Sequence, residues 1–216
     1  MNTIKEEFLT ASVLNSNKEK MMAYTLRHQV FAEELRWVST NDKKLEIDKY
    51  DRNCIMLGIF YNNELVACLR IIRSSEKYML ENEFAHLLGD HELQKNVETI
   101  EVTRFCLAPH VRNLQVSTKH GVFPFIMVLE KLFYTWCRNN GVDNAYMVVS
   151  KIFFRLLNLL GMPCKALAPE VIMPDGVRAI AAKSSWSAFE KENIVKRPDL
   201  YNWFRGSISS CEKLAA

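Results

Sequence analysis

The string EIDKYD sets three carboxylates, Glu46, Asp48 and Asp51, within six residues, and segments on either side supply arginines. Arg27 stands in YTLRHQVF, Arg70 in LVACLRIIR, and Arg104 shares TIEVTRFCLA with a further acid, Glu101. Four separate segments therefore carry charges of both signs toward apolar surroundings. Burying such ions costs several kcal/mol each unless each is paired or meets a charged ligand. Two arrangements satisfy the pattern: a structural ion-pair network, or a site for a zwitterionic small molecule. No GxGxxG, Walker or GxSxG motif accompanies them, and no Ser/His/Asp or Cys/His pair stands out. What remains is chemistry that needs positioning, charge complementarity and one general base. Attack of a bound amine on a bound thioester fits, because the thioester is already activated and the amine needs only deprotonation and orientation.

The elements that must hold these groups follow from periodicity. Met22, Leu26, Val30 and Phe31 recur at helical spacing between about Glu19 and Arg36, with Arg27 and Phe31 on one face. Residues 37–53 are polar and turn-rich, so Trp37 and the acidic trio lie on a long loop. CIMLGIF and LVACLRIIR read as strands joined hairpin-fashion by YNNE, and alternation puts Arg70 on the apolar face of Val66, Cys68 and Ile72. A strand is expected at 99–108 and an amphipathic helix at about 121–138, closed by Gly141. NAYMVVS reads as a strand, KIFFRLLNLLG as a helix, PEVIMPDGVRAIAA as two strands about a Pro-Asp-Gly turn, and WSAFEKENI as a short helix. This order predicts an α/β protein, a three-layer sandwich with a mixed sheet rather than a doubly wound fold.

A chain of 216 residues without a compositional break is expected to form a single domain over residues 1–216. Its apolar runs are too short for a membrane span and its start lacks a cleavable signal pattern, so a cytoplasmic protein is expected. Cys54, Cys68, Cys106, Cys137, Cys164 and Cys211 are scattered and read as reduced core thiols, and no Cys or His spacing suggests a metal. A net charge of +3 is too small to argue for nucleic acid, yet it permits a local basic patch for an acidic partner.

Taken in order, RHQVF with the following Trp37, EIDKYD, LRIIR, YMLENEFAHLL with Phe84, and EVTRF resemble the LuxI-type acyl-homoserine-lactone synthases over residues 20–160. The resemblance implies the fold of the GNAT N-acyltransferases, with a largely antiparallel central sheet. It implies S-adenosylmethionine as a substrate, with no further cofactor, and an acyl thioester on acyl carrier protein or coenzyme A as donor. The products are then an N-acyl-homoserine lactone, methylthioadenosine and the free thiol carrier, and a monomer is expected.

By the same resemblance Arg27, Phe31, Trp37, Asp48 and Asp51 shape the S-adenosylmethionine pocket, while Glu46, Arg70 and Phe84 support it. Arg104 helps hold the network and counts as catalytic together with Glu101, the base, acting through water. The required complements agree: carboxylates for the sulfonium and ammonium, an arginine for the carboxylate, an aromatic face from Trp37. Strict alternation puts Glu101 and Arg104 on opposite faces, so both address one site only across a β-bulge or a splayed strand. Thr103, Phe105, Cys106 and Leu107 are expected beside the thioester channel, and Phe125, Leu129, Met147 and Val149 around the acyl chain. Lys151 and Arg155, on one helix face, are expected to dock an acidic carrier. The family commonly has serine where Thr103 stands, and the chain lacks a glycine-rich loop after VRNLQVSTKHG that would grip coenzyme A conventionally. Met147 falls where members making 3-oxo products often have threonine, so an acyl chain without a 3-oxo group is expected. Two rival readings remain, a related acyltransferase using another amine and a binding module without turnover.

Overall fold

A computed structural model describes residues 3–206; Cys211 lies outside the described residues. The chain begins with two short strands, β1 (Thr3–Lys5) and β2 (Leu9–Val13), which the sequence reading did not anticipate. Helix α1 (Asn17–Arg27) starts on a capping box: the Ser16 hydroxyl accepts from the Glu19 amide, and the Glu19 carboxylate accepts from the Ser16 amide. Past Arg27 the helix widens into π-type turns over His28–Glu34, where the Leu35 amide reaches back to the Val30 carbonyl at 2.9 Å. Such widening often marks functional segments.

Strands β3 (Cys54–Tyr61) and β4 (Glu64–Arg73) form the expected hairpin, with Asn62 and Asn63 at φ 50° and 63°. Two left-handed residues make the tight turn that matches strand twist, and asparagine tolerates them. Then come β5 (Thr99–Leu107), β6 (Gln115–Thr118), β7 (Gly121–Pro124) and α2 (Ile126–Asn139). Here the predicted helix over 121–138 is corrected: residues 121–124 pair with β6, and the helix starts only after Pro124. Gly121, at φ +133°, closes the β6–β7 turn in a conformation a helix cannot use. Finally come β8 (Asn144–Ser150), α3 (Lys151–Leu159), β9 (Cys164–Ala166), β10 (Val171–Ile172), β11 (Arg178–Ser185) and α4 (Trp186–Lys196); apart from the unanticipated short strand β9, this is the predicted order. An additional helix, α5 (Pro198–Arg205), opens on proline, whose missing amide costs nothing at a helix start.

The main sheet runs β10-β11-β8-β5-β4-β3-β2, with β9 on β11; a small sheet joins β1, β6 and β7. Every neighbour in the main sheet is antiparallel except β5 and β8. Residues Val66 to Ile72 of β4 are buried on both faces, which requires a layer on each side. α1 and its π-type extension cover the face carrying Arg70, whereas α2 and α3 cover the face carrying Ile71, Met147 and Val149. None of the helices among the described residues is long and apolar enough to cross a membrane.

Candidate active site

Three arginines and three carboxylates close into a ring on the α1 face. Arg27 bonds Glu46 and, through both terminal nitrogens, Asp51 at 2.7 and 3.0 Å. Arg70 reaches Asp51 at 2.9 Å and also bonds Asp48. Arg104 completes the circuit to Asp48 at 2.8 Å and Glu46 at 2.9 Å. Each arginine thus holds two acids and each acid two arginines, so the ring is neutral and its members come from α1, the 37–53 loop, β4 and β5. Burial opposes ionisation of Asp51, but the Arg27 and Arg70 guanidinium groups hold its carboxyl below the usual range.

The ring is not evenly buried. Asp48 and Arg104 are 22% and 15% exposed at their side chains and line the adjoining cavity, whereas Arg27, Glu46, Asp51 and Arg70 lie behind them. Arg27 and Asp51, expected in contact with substrate, therefore do not reach the cavity wall, because the ring consumes both of their charged ends. Phe31 and Trp37 do line it, stacked at 6.1 Å, with the Arg104 guanidinium over the Phe31 ring. Phe84 lines the same side, together with Tyr50, Met79 and Glu83, which the sequence reading did not single out.

Arg104 owes its position to a bulge. Cys68 and Arg70 of β4, two residues apart, pair with Cys106 and Thr103 of β5, three apart, and the extra residue Arg104 takes φ +54°. The bulge turns Arg104 toward the acids, while Thr103 accepts from Arg70 Nε at 2.9 Å. Glu101 is not a partner of Arg104. Its carboxylate accepts the Met79 and Leu80 amides at 2.6 and 2.9 Å and is sealed from bulk solvent. Burial pushes its pKa up to about 7, against the pull of those amides and of Arg70. Two accepted bonds leave the carboxylate further lone pairs for a proton or a water.

β5 and β8 pair only from Thr99 to Glu101 and then diverge. Into the split opens a cavity of about 1170 Å³. Consecutive residues from Glu101 to Leu107 line it, as do Met147 to Ser150, a pattern that alternation forbids on a sheet face and permits along an open strand edge. Thr103, Phe105, Cys106, Leu107, Met147 and Val149 are accordingly at the wall. Phe125 and Leu129 are not: both are fully buried in the core beneath the sheet. Because the helix starts at Ile126, its cavity face is Ile126, Glu130 and Phe133.

Lys151 and Arg155 lie on α3 at the outer rim. Arg155 is exposed beside Ile152 and Leu159, whereas Lys151 is tied to Glu170 at 2.6 Å. Among the described residues no group of His, Cys, Asp and Glu is arranged to hold a metal ion.

A mixed sheet split between its two parallel strands, with a long cavity through the split and a buried acid at its edge, belongs to the GNAT-like fold class. A sequence model of the autoinducer synthase family matches residues 11–184, and the chain belongs to that family. The acyl-homoserine-lactone synthase of Aliivibrio fischeri is 27% identical over 150 residues, which are 68% of this chain and 76% of that protein. BjaI, a CoA-dependent acyl-homoserine lactone synthase solved with SAM and isopentyl-CoA, is similar in fold. Its TM-score is 0.74 at 15% identity, covering 94% of this chain and 92% of that one. The AHL synthase LasI gives 0.69 at 22% identity, over 82% and 89%. The chain is thus an enzyme of a transferase family.

Opening the ring at Arg70 leaves two carboxylates each short of a partner. Arg70→Met is expected to cost about 3–5 kcal/mol in urea denaturation at neutral pH. Because the Asp51 pKa is depressed by folding, the ring's contribution is present above the unfolded carboxylate range and is lost as pH falls through and below about 4. Stability of the parent should therefore fall in acid more steeply than that of the Arg70→Met protein.

Proposed function

We propose that this enzyme transfers an acyl group from a carrier thioester to the amine of S-adenosylmethionine and then releases the N-acyl-homoserine lactone, methylthioadenosine and the free thiol carrier. The observation that carries the reading is the cavity through the split sheet. It joins a charged end, with Asp48 and Arg104, to an apolar end between α2 and α3, and Glu101 stands where the two meet. A solved relative, BjaI, holds SAM and isopentyl-CoA together, which supports a two-substrate cavity here.

Asp48 meets the cationic groups of S-adenosylmethionine and Arg104 its carboxylate, with Phe31 and Trp37 as aromatic walls. Arg27, Glu46, Asp51 and Arg70 act through the ring by fixing those two. Glu101 takes the ammonium proton through a water, and the freed amine adds to the thioester carbonyl. The C–S bond then breaks and the thiolate leaves with a proton. Beyond Glu101 the β5 backbone has no strand partner on its β8 side, so it offers hydrogen bonds to the pantetheine arm and the carbonyl oxygen. The substrate carboxylate then attacks its own Cγ, expelling methylthioadenosine and closing the lactone. These substrates place the enzyme in the cytoplasm.

We further propose that the donor arrives on acyl carrier protein, docked at Arg155 and Lys151 around the exposed Ile152 and Leu159. Met147 at the cavity wall provides no hydroxyl for a 3-oxo group, so the transferred chain lacks one. Mass spectrometry of product made by the purified enzyme from S-adenosylmethionine and a mixed acyl-carrier pool tests the reaction and the chain together; a dominant 3-oxo lactone would overturn the Met147 assignment.

Asp48→Ala should raise the KM for S-adenosylmethionine by at least about tenfold in a methylthioadenosine-release assay, since a desolvated cation loses its counter-charge. Glu101→Gln keeps an acceptor for only one of the Met79 and Leu80 amides, so it should fold with somewhat lowered thermal stability and lower kcat on the order of 100-fold. Only the deprotonated base is competent, so parent kcat should rise with pH through about 7, and the Gln protein should lose that inflection. Lys151→Glu with Arg155→Glu should raise KM for carrier-bound donors in a salt-dependent manner and leave coenzyme A donors unchanged.

A further inference from the structure

Glu130 is a carboxyl that the mechanism above leaves unused. It stands on α2 one turn beyond Ile126 and shortly before Phe133, and all three line the cavity. The side chain is 94% buried by its 6% exposure, yet no hydrogen bond or ion pair to it occurs among the described residues. Its neighbour Lys131 bonds Glu6 instead. An unpaired buried polar group costs about 1–3 kcal/mol, so a core position would ordinarily carry an apolar residue.

The surroundings locate this group at the end of the cavity remote from the charged ring. The groups near enough to feel its charge are the thiols of Cys164 on β9 and Cys137 on α2. Cys164 lines the cavity, and β9 lies three strands from β5 in the sheet, roughly 14 Å at the usual strand spacing. Phe133, Leu157, Leu160 and Met162 give that end apolar walls, and Ser184, opposite Cys164 in the strand pairing, adds a hydroxyl. Burial alone drives the Glu130 pKa, up to about 8, with no cation contributing. At neutral pH the group is therefore mainly a neutral acid, offering one O–H donor and acceptor oxygens to whatever enters.

We propose that Glu130 recognises a hydrogen-bonding oxygen, a hydroxyl or phenol, on the distal part of the acyl chain, so that the enzyme selects donors oxygenated far from the thioester over plain alkyl donors. This rests on the acyl-transfer reading above and adds the substrate class to it. A plain chain buries the acid with no partner, whereas an oxygenated one satisfies donor and acceptor at once. The difference converts to about tenfold or more in kcat/KM.

Hexanoyl, octanoyl and decanoyl carrier thioesters and their terminally hydroxylated counterparts, together with a 4-hydroxycinnamoyl thioester, provide the test, with methylthioadenosine release as readout. The parent should prefer an oxygenated donor over every plain one by about tenfold or more. Glu130→Leu should invert that preference without changing the KM for S-adenosylmethionine. Glu130→Gln, which keeps a donor and an acceptor in the same shape, should retain most of it and guards against misfolding of the leucine protein. Preference for plain alkyl donors at every length, or an oxygenated preference that survives Glu130→Leu, overturns the assignment. Absence of methylthioadenosine release from all donors overturns the acyl-transfer reading itself, and this proposal with it.

Discussion

Arg27, Glu46, Arg104, Asp48, Arg70 and Asp51 bond to one another in that order and back to the start, so that six ionised groups satisfy each other with almost no help from solvent. Desolvating six charges is costly, and only mutual pairing of good geometry offsets it. The arrangement is demanding because its members come from a helix, an irregular loop and two strands. Residues 35–48 have little regular backbone bonding of their own, yet Glu46 and Asp48 are fixed because their carboxylates are. The same closure decides which charges remain for a ligand. Four are consumed, and only Asp48 and Arg104 still look outward.

A second constraint acts on the sheet. Parallel pairing of β5 and β8 stops after Glu101, and the bulge at Arg104 follows within three residues. The two irregularities serve one end. The split opens a strand edge to the cavity, and the bulge lets Arg104 face the acids while Phe105 returns to the other side and packs on Phe153 at 5.5 Å. A regular strand would have sent either Glu101 or Arg104 away from the centre. The left-handed arginine is thus a local strain tolerated for the sake of the site.

Much of this was legible beforehand. The hairpin about Asn62 and Asn63, β5, β8, α3 and the Pro-Asp-Gly turn follow from alternation and turn chemistry, and the need for a bulge follows from the spacing of Glu101 and Arg104. The partners within the ring were not legible, since one-dimensional spacing gives charge types and not which acid each guanidinium meets. Glu101 shows the limit well: its partners are the backbone amides of Met79 and Leu80, which have no side-chain signature. The face of α2 was misjudged for another reason. Phe125 and Leu129 head a strong apolar stripe, but that stripe faces the core, and the buried Glu130 beside it was not singled out in sequence. The short strands β1, β2, β6, β7 and β9 and helix α5 were missed because three to eight residues carry too little periodicity to separate them from loops or from a neighbouring helix.

The placement of the tryptophans has an optical consequence. Trp136, Trp186 and Trp203 are at most 2% exposed, whereas Trp37 is 44% exposed and stacks on Phe31 at the cavity mouth. Indole emission shifts to longer wavelength with solvent contact, so the three core rings emit together at the blue end and Trp37 alone supplies the red edge. The molecule carries its own fluorophore at the entrance, spectrally separated from the rest, and filling of the cavity is written into its intrinsic emission without any attached label.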